Sequence, residues 1–385
     1  MCTRIFNSLN QEEPMTGRNF DWHYPLNTFL YSQPKGIKRV GGDINVGNSE
    51  CIIWQAQYAS TCTYLGSDNL GLAAIDGINE KGLAVNGLED LLAHFPNIFS
   101  KQELLSDFPL LLSKSIEEDR LEFIAEHDIP NQSKLLSSLR WVQFVLDNFD
   151  SVKSAAQYFR DNEQNLFIYS GDVPDGHEKK TKTKLHLTLS DPSGNSAIIE
   201  IRGKGFSVNE SANYNVATVT PRYEVQQLLM QYWLEKWEKP AGVAGLHVYD
   251  VPGGTATHQR FARANYYYKF SNASADKQGV LSQTRALMAT CATPIGLNLK
   301  QDNSQETIPS ANTLWCSVSE HNSNRYHLIN TETLTHQWLD LEFNEAVCQR
   351  VLLIKTDPNI SEPLALKPGA LNQHLTACPA PFSAV

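Results

Sequence analysis

The sequence predicts an α+β chain folded as one domain, and three observations point there. Short alternating strands fill the chain up to Leu88, after which helical and strand periods are mixed. No Pro-, Gly- or Ser-rich boundary divides the 385 residues and no internal repeat recurs, so one large core is favoured over two ordinary ones. A content of 41% hydrophobic and 19% charged residues is that of a globular chain rather than a disordered one.

Residues 3–9 and 15–22 read as two antiparallel strands joined at Asn10-Gln11-Glu12-Glu13-Pro14. Residues 51–56, 71–75 and 82–88 are short apolar runs bounded by Gly, Asn and Asp, and read as strands. Leu136, Leu139, Val142, Val145, Leu146 and Phe149 recur at helical spacing, and Ser151 caps a second helix carrying Val152, Ala155, Ala156 and Phe159. Leu185, Leu187 and Leu189 alternate with polar residues, and Asp191-Pro192-Ser193-Gly194-Asn195 turns the chain into the apolar run 197–201, a hairpin. Residues 223–237 and 260–270 read as helices with apolar faces; residues 313–320, 325–330 and 337–340 read as a closing meander. The acidic, Leu-rich stretch 96–133 reads as an inserted surface hairpin of helices, or alternatively as a lid or an oligomer contact.

Composition excludes several classes of function. The apolar runs fall well short of the roughly twenty residues that cross a bilayer, so a membrane-spanning protein is not expected. A net charge of −10 argues against nonspecific binding to nucleic acid or anionic membranes. Seven cysteines, without paired spacing, form neither a disulfide framework nor a zinc site. Cys51, Cys62, Cys291, Cys316, Cys348 and Cys378 read as free thiols, which suits a reducing compartment. No charged-then-apolar leader precedes Cys2, so the expected location is cytoplasmic as the sequence stands, and periplasmic if a signal peptide has been trimmed.

Cys2 is the candidate nucleophile. A small residue after the initiator Met permits Met removal, leaving Cys2 with a thiol and, on its own backbone, a free amine. The two groups titrate at about 7.7–8.0 and about 8.5 in model compounds, so proton transfer between them is nearly balanced. A Met-Cys start alone is equally the mark of a buried core thiol. The neighbouring strand adds the case for chemistry: folded back, it returns Arg18 and Asp21 to the level of Cys2. A cation at Arg18 favours thiolate over thiol, and a carboxylate at Asp21 can hold the amine by a charge-assisted hydrogen bond. Three residues apart, the two side chains point to opposite faces of a regular strand, so a shared site calls for a bulge or a strand end, which Gly17 would permit.

With these residues in place the chain resembles the choloylglycine hydrolase family of N-terminal-nucleophile hydrolases, and within it the penicillin V acylases of Gram-negative bacteria. The likeness runs through residues 1–22, Ile37-Lys38-Arg39-Val40-Gly41-Gly42, Asp76-Gly77-Ile78-Asn79-Glu80-Lys81-Gly82-Leu83, residues 141–149, 185–200 and 214–233, and Pro252-Gly253 through Arg260-Phe261 to Arg263. It implies a four-layer αββα sandwich, hydrolysis of a linear amide bond without metal or organic cofactor, and a homotetramer. It also implies catalytic roles for Cys2, Arg18, Asp21 and Arg260, with Trp22, Asn86, Glu89 and Val219 on the substrate side. The expected partner is a small N-acyl amide, such as an acyl homoserine lactone or penicillin V. A papain-like protease would need a nucleophile at a helix start with an internal His partner, and none of the cysteines sits in that context.

Two positions depart from the family pattern. Where the family has Thr-Asn-x-Pro, with the Asn amide on the oxyanion, this chain reads Thr218-Val219-Thr220-Pro221. Losing such a donor typically costs about 10²–10³ in rate. Either a neighbour such as Thr220 or Asn86 substitutes, or the amidase is slow, or the chain is a catalytically silent binding or assembly protein. Glu89 stands where relatives have an aromatic residue or Asn whose backbone N–H serves the oxyanion; with Asp90 it predicts an acidic wall that favours neutral leaving groups.

Overall fold

The computed structural model describes residues 2–42, 48–90, 132–178, 180–202, 205–238, 250–297, 311–341 and 347–384. The first hairpin forms where its patterning requires. Strand Thr3–Asn7 pairs antiparallel with Met15–Trp22 in the register Thr3↔Asn19, Arg4↔Arg18, Ile5↔Gly17. It lies within a seven-stranded sheet ordered Val216–Thr218, Thr3–Asn7, Met15–Trp22, Asn312–Glu320, Arg325–Asn330, His336–Asp340 and Gly369–Ala370. A nine-stranded sheet faces it, ordered Gly205–Glu210, Ser196–Arg202, Leu185–Ser190, Ala84–Glu89, Gly71–Asn79, Ser60–Ser67, Thr28–Gln33, Gln349–Ile354 and Thr376–Ala377.

Helices close both outer faces. Helix α1 (Ser138–Asn148) and helix α2 (Val152–Asp161) pack on the nine-stranded sheet; α4 (Thr257–Lys269) and α5 (Lys277–Ala289) pack on the seven-stranded one, with α3 (Tyr223–Trp237) against α4. The result is the four-layer αββα sandwich. Layers this close need gaps in the side-chain surface. A Cβ on Gly17 would stand 2.5 Å from Met288 Cγ of α5, and one on Gly77 would stand 2.8 Å from Leu146 Cδ1 of α1, so both glycines admit a helix onto its sheet. Of the two arrangements that Gly17 would permit, a bulge or a strand end, the bulge is absent at this position. Gly17 pairs regularly with Ile5 and Val318.

Local signals set most element boundaries. Ser151 caps α2, its side chain accepting from the Ser154 N–H, and the hairpin of Leu185–Ser190 and Ser196–Arg202 turns over residues 191–195. Where expectation and structure differ, tertiary pairing is the reason. The helical period beginning at Leu136 starts as a strand, Lys134–Ser137, because its backbone is taken up in parallel pairing with Leu166–Tyr169; Ser137 then caps α1. Residues 51–56 split into Glu50–Cys51 and Ile53–Gln55, which join different sheets. The meander ending at Asp340 does not close the fold, since Gln349–Ile354 returns to the other sheet beside Thr28–Gln33. The stretch 96–133 lies, but for its last two residues, outside the described residues. Among the described residues no helix is long and apolar enough to cross a membrane.

Candidate active site

Cys2 precedes the first strand and is 3% exposed, packed in the main core cluster together with Phe20, Leu88 and Val219. The register places it beside Phe20 on one side and, one step beyond Thr3↔Thr218, beside Val219 on the other. Arg18 comes from the neighbouring strand. Its Nη2 donates to Gly87 O at 2.8 Å and lies 3.4 Å from Cys2 Sγ, so the guanidinium contacts the sulfur directly. The same group lies 4.7 Å from the Phe20 ring centre and 4.9 Å from that of Trp315. Such faces hold a cation without competing for its N–H groups.

Asp21 sits on the opposite side of that strand. Its carboxylate accepts from Arg260 Nη1 at 2.6 Å and from Thr313 Oγ1 at 2.6 Å, and Arg260 Nη1 also donates to Thr3 Oγ1 at 3.0 Å. Arg260, in the first turn of α4, is further tied to Thr255 O at 2.9 Å. Both members of the pair are fully buried. The expected conflict of faces is thus resolved without a bulge in the strand carrying Arg18 and Asp21. Cys2 stands at a strand end, with its side chain toward Arg18 between the sheets and the following residue, Thr3, toward Arg260 and Asp21. The register slip nearby lies in the partner strand, between Thr313 and Trp315.

Cys2 and Arg18 line a narrow slot whose apolar walls include Phe20, Trp22, Leu26, Leu65, Ile75 and Leu185. Trp22 and Glu89 line it, whereas Asn86 and Val219 are not among its lining residues. Asn86 is buried and committed: its Nδ2 donates to Asp76 Oδ2 at 2.9 Å, and its Oδ1 accepts from Thr188 Oγ1 at 3.2 Å. Thr220 also stands outside the slot lining, its hydroxyl 2.8 Å from that of Thr257. The acidic wall is also revised. Asp90 is buried outside the slot lining, and Glu89 shares that lining with Lys182 and Lys184, so the mouth carries both signs of charge. Lys182 pairs with Asp172 at 3.0 Å.

The segment carrying Val219 is fixed from behind. Gln226 Nε2 donates to Thr218 O at 2.9 Å and Pro221 O at 2.6 Å, and Glu200 Oε1 accepts from the Tyr223 N–H at 2.8 Å. Burial, reinforced by Asp90, pushes the Glu200 carboxyl up to about 7. Sequence reasoning missed Asp76, Thr313 and the two lysines. A charged residue inside the apolar run 71–79 was the available signal for Asp76; Thr313 and the lysines had none, because their partners are far away in the chain. Among the described residues no cluster of His, Cys, Asp and Glu suited to a metal ion is found.

The family model of linear amide C–N hydrolases, choloylglycine hydrolase family, matches residues 2–102 and 121–351. A penicillin V acylase of Pectobacterium atrosepticum is 29% identical over 357 residues, 89% of this chain and 81% of that protein. The structure of penicillin V acylase from Agrobacterium tumefaciens superposes with a TM-score of 0.71 at 23% identity, over 100% of this chain and 99% of that one. A mutant of the conjugated bile acid hydrolase from Clostridium perfringens superposes with a TM-score of 0.64 at 19% identity, over 93% and 97% of the two chains.

Proposed function

The chain belongs to the linear amide C–N hydrolases of the choloylglycine hydrolase family, and from that premise we propose that it cleaves N-acyl amides with an apolar acyl group, using Cys2 as an N-terminal nucleophile. The observation that carries this reading is the sulfur of Cys2, in contact with Arg18, at the head of an apolar slot. After Met1 removal the Cys2 sulfur attacks the amide carbonyl, and the Cys2 amine passes the thiol proton to the leaving nitrogen. Water then releases the acyl group from the thioester and the thiol is restored. Arg18 favours the thiolate, and the buried Asp21–Arg260 pair holds the Thr3 side chain next to the nucleophile through Arg260. Trp22 and Glu89 contact substrate in the slot. An acyl homoserine lactone and penicillin V both fit the chemical description.

A second reading has its own observation. Val219 stands where relatives place an oxyanion donor, and neither Thr220 nor Asn86 is among the residues lining the slot. A weakened or silent site is the consequence of that reading. One experiment separates the two: intact-mass measurement of the mature protein incubated with a panel of N-acyl amides. The amidase reading expects a protein that begins at Cys2, gains the mass of one acyl group, and loses that gain together with turnover in Cys2→Ser. Full turnover by a species retaining Met1, or no adduct and no product with any member of the panel, overturns it.

A further inference from the structure

A fully buried guanidinium in contact with the nucleophile needs a counter-charge and a fixed aim, and Gly87 O with two aromatic faces supplies only part of that. We infer that Asp76 is the positioning residue of this site, holding Arg18 against Cys2 Sγ, and that Asn86 serves the reaction through Asp76 rather than by touching substrate. The inference rests on Cys2 being the nucleophile.

Asp76 Oδ2 lies 3.8 Å from Arg18 Nε with both side chains fully buried, and among the described residues it is the carboxylate paired with Arg18. At that distance the contact is charge attraction rather than a hydrogen bond, and Nε and Nη1 of Arg18 have no hydrogen-bond partner among the described residues. The carboxylate itself is held rigidly. Tyr326 OH donates to Oδ1 at 2.7 Å, Ser317 Oγ to Oδ1 at 3.1 Å, and Asn86 Nδ2 to Oδ2 at 2.9 Å. All three donate, which is the arrangement an ionised carboxylate requires. Two donors come from the seven-stranded sheet and one from the nine-stranded sheet, so Asp76 ties the strand of Arg18 to the strand of Gly87 from both sides. A register slip opposite Thr63 and Tyr64 leaves Ile75 unpaired. Such a bulge re-aims the adjoining side chains; here Ile75 lines the slot and Asp76 faces Arg18.

Arg18 and Tyr326 face Asp76, and the Cys62 and Cys316 thiols act on it electrostatically from the outer faces of the two sheets. Burial pushes the Tyr326 phenol and the Cys62 thiol well up, and pushes the Cys316 thiol up to about 12, so near neutral pH the charge across from Asp76 is that of Arg18. Burial also pushes the Asp76 carboxyl up, opposed first by Arg18 and then by its three donors.

The sign of one measurement decides between positioning and plain charge. As a bare anion Asp76 disfavours thiolate, so its neutralisation would move the pH midpoint of Cys2 alkylation down. As a positioning residue its neutralisation frees Arg18, the sulfur loses its cation, and the midpoint moves up. The experiment is alkylation of the mature protein with iodoacetamide across the range where thiols ionise, read at the Cys2 peptide by mass spectrometry, beside kcat and KM on one N-acyl amide. Asp76→Asn is expected to raise the midpoint by about one pH unit and lower kcat on the order of 10²-fold, with KM little changed. Tyr326→Phe keeps the carboxylate and removes one of its donors. It is expected to move both quantities the same way by less. A folded Asp76→Asn protein whose midpoint falls or stays overturns the inference; where Asp76→Asn does not fold, an unmoved midpoint and kcat in Tyr326→Phe overturns it. A parent protein that keeps its turnover after Cys2 is alkylated would instead refute the nucleophile assignment.

Discussion

Val219→Asn tests directly whether this site lacks an oxyanion donor. Val219 is 2% exposed and shares a core cluster with Cys2, on a segment that Gln226 and Glu200 hold in place. Asn has nearly the volume of Val, so the substitution adds a donor beside the nucleophile without demanding a new backbone path. The two neighbouring donors stand outside the slot lining, Asn86 beside Asp76 and Thr220 beside Thr257. A preorganised donor acts on charge that develops only in the transition state, so kcat is expected to rise by up to about 10²-fold, with the substrate dissociation constant nearly unchanged. The resting enzyme must then bury an amide without a full set of partners, which should cost about 1–3 kcal/mol of stability. Single-turnover acylation with penicillin V and with an N-acyl homoserine lactone measures the first quantity, and urea unfolding the second. A folded variant with unchanged or reduced acylation would mean that another group already fills the hole, and would refute the reasoning.

Asp21→Asn leaves Arg260 as a buried cation without its carboxylate and is expected to cost about 3–5 kcal/mol in urea unfolding; the double variant Asp21→Asn, Arg260→Met should recover much of the stability and none of the turnover. Glu89→Gln should shift kcat/KM toward anionic leaving amines by about fivefold for one acyl group, and Lys184→Gln should shift it the other way, both less in high salt; equal ratios in all three proteins would show that the mouth does not sense substrate charge. For Glu320, burial alone would push the carboxyl up, but hydrogen bonds from His327, Lys277 and Ser323 outweigh it and hold it at about 2. A value below the unfolded one stabilises the fold at pH above the unfolded value, and that stabilisation disappears as pH falls from about 4.5 toward about 2. Solvent screening reduces the effect to about 1–2 kcal/mol. Urea midpoints of Glu320→Gln should therefore lie below the parent at neutral pH and converge with it in acid, and parallel curves would contradict this.

What the sequence determined by itself is what short-range physics encodes. Alternation and a turn of Asp, Pro, Ser, Gly and Asn sufficed for the hairpin at 185–201, a serine with its N-cap chemistry for the start of α2, and the first hairpin for bringing Arg18 and Cys2 together. Within that hairpin the distance along the chain is short and the pairing local, so residue order nearly dictates geometry. The catalytic family was legible for the same reason, since its motifs are short runs. Tertiary structure decided what depends on residues far apart. Only the packing of α4 on the first strand brings Arg260 to Asp21, and only the facing of two sheets brings Asp76 to Arg18, Ser317 and Tyr326. Pairing within the nine-stranded sheet holds Asn86 to Asp76 and Thr188, away from the slot, and puts Lys184 at Glu89's end of the sheet, where both line the slot. A strand's sequence states which residues share a face, but not which charge will stand across from that face, because that partner is chosen by the whole sandwich.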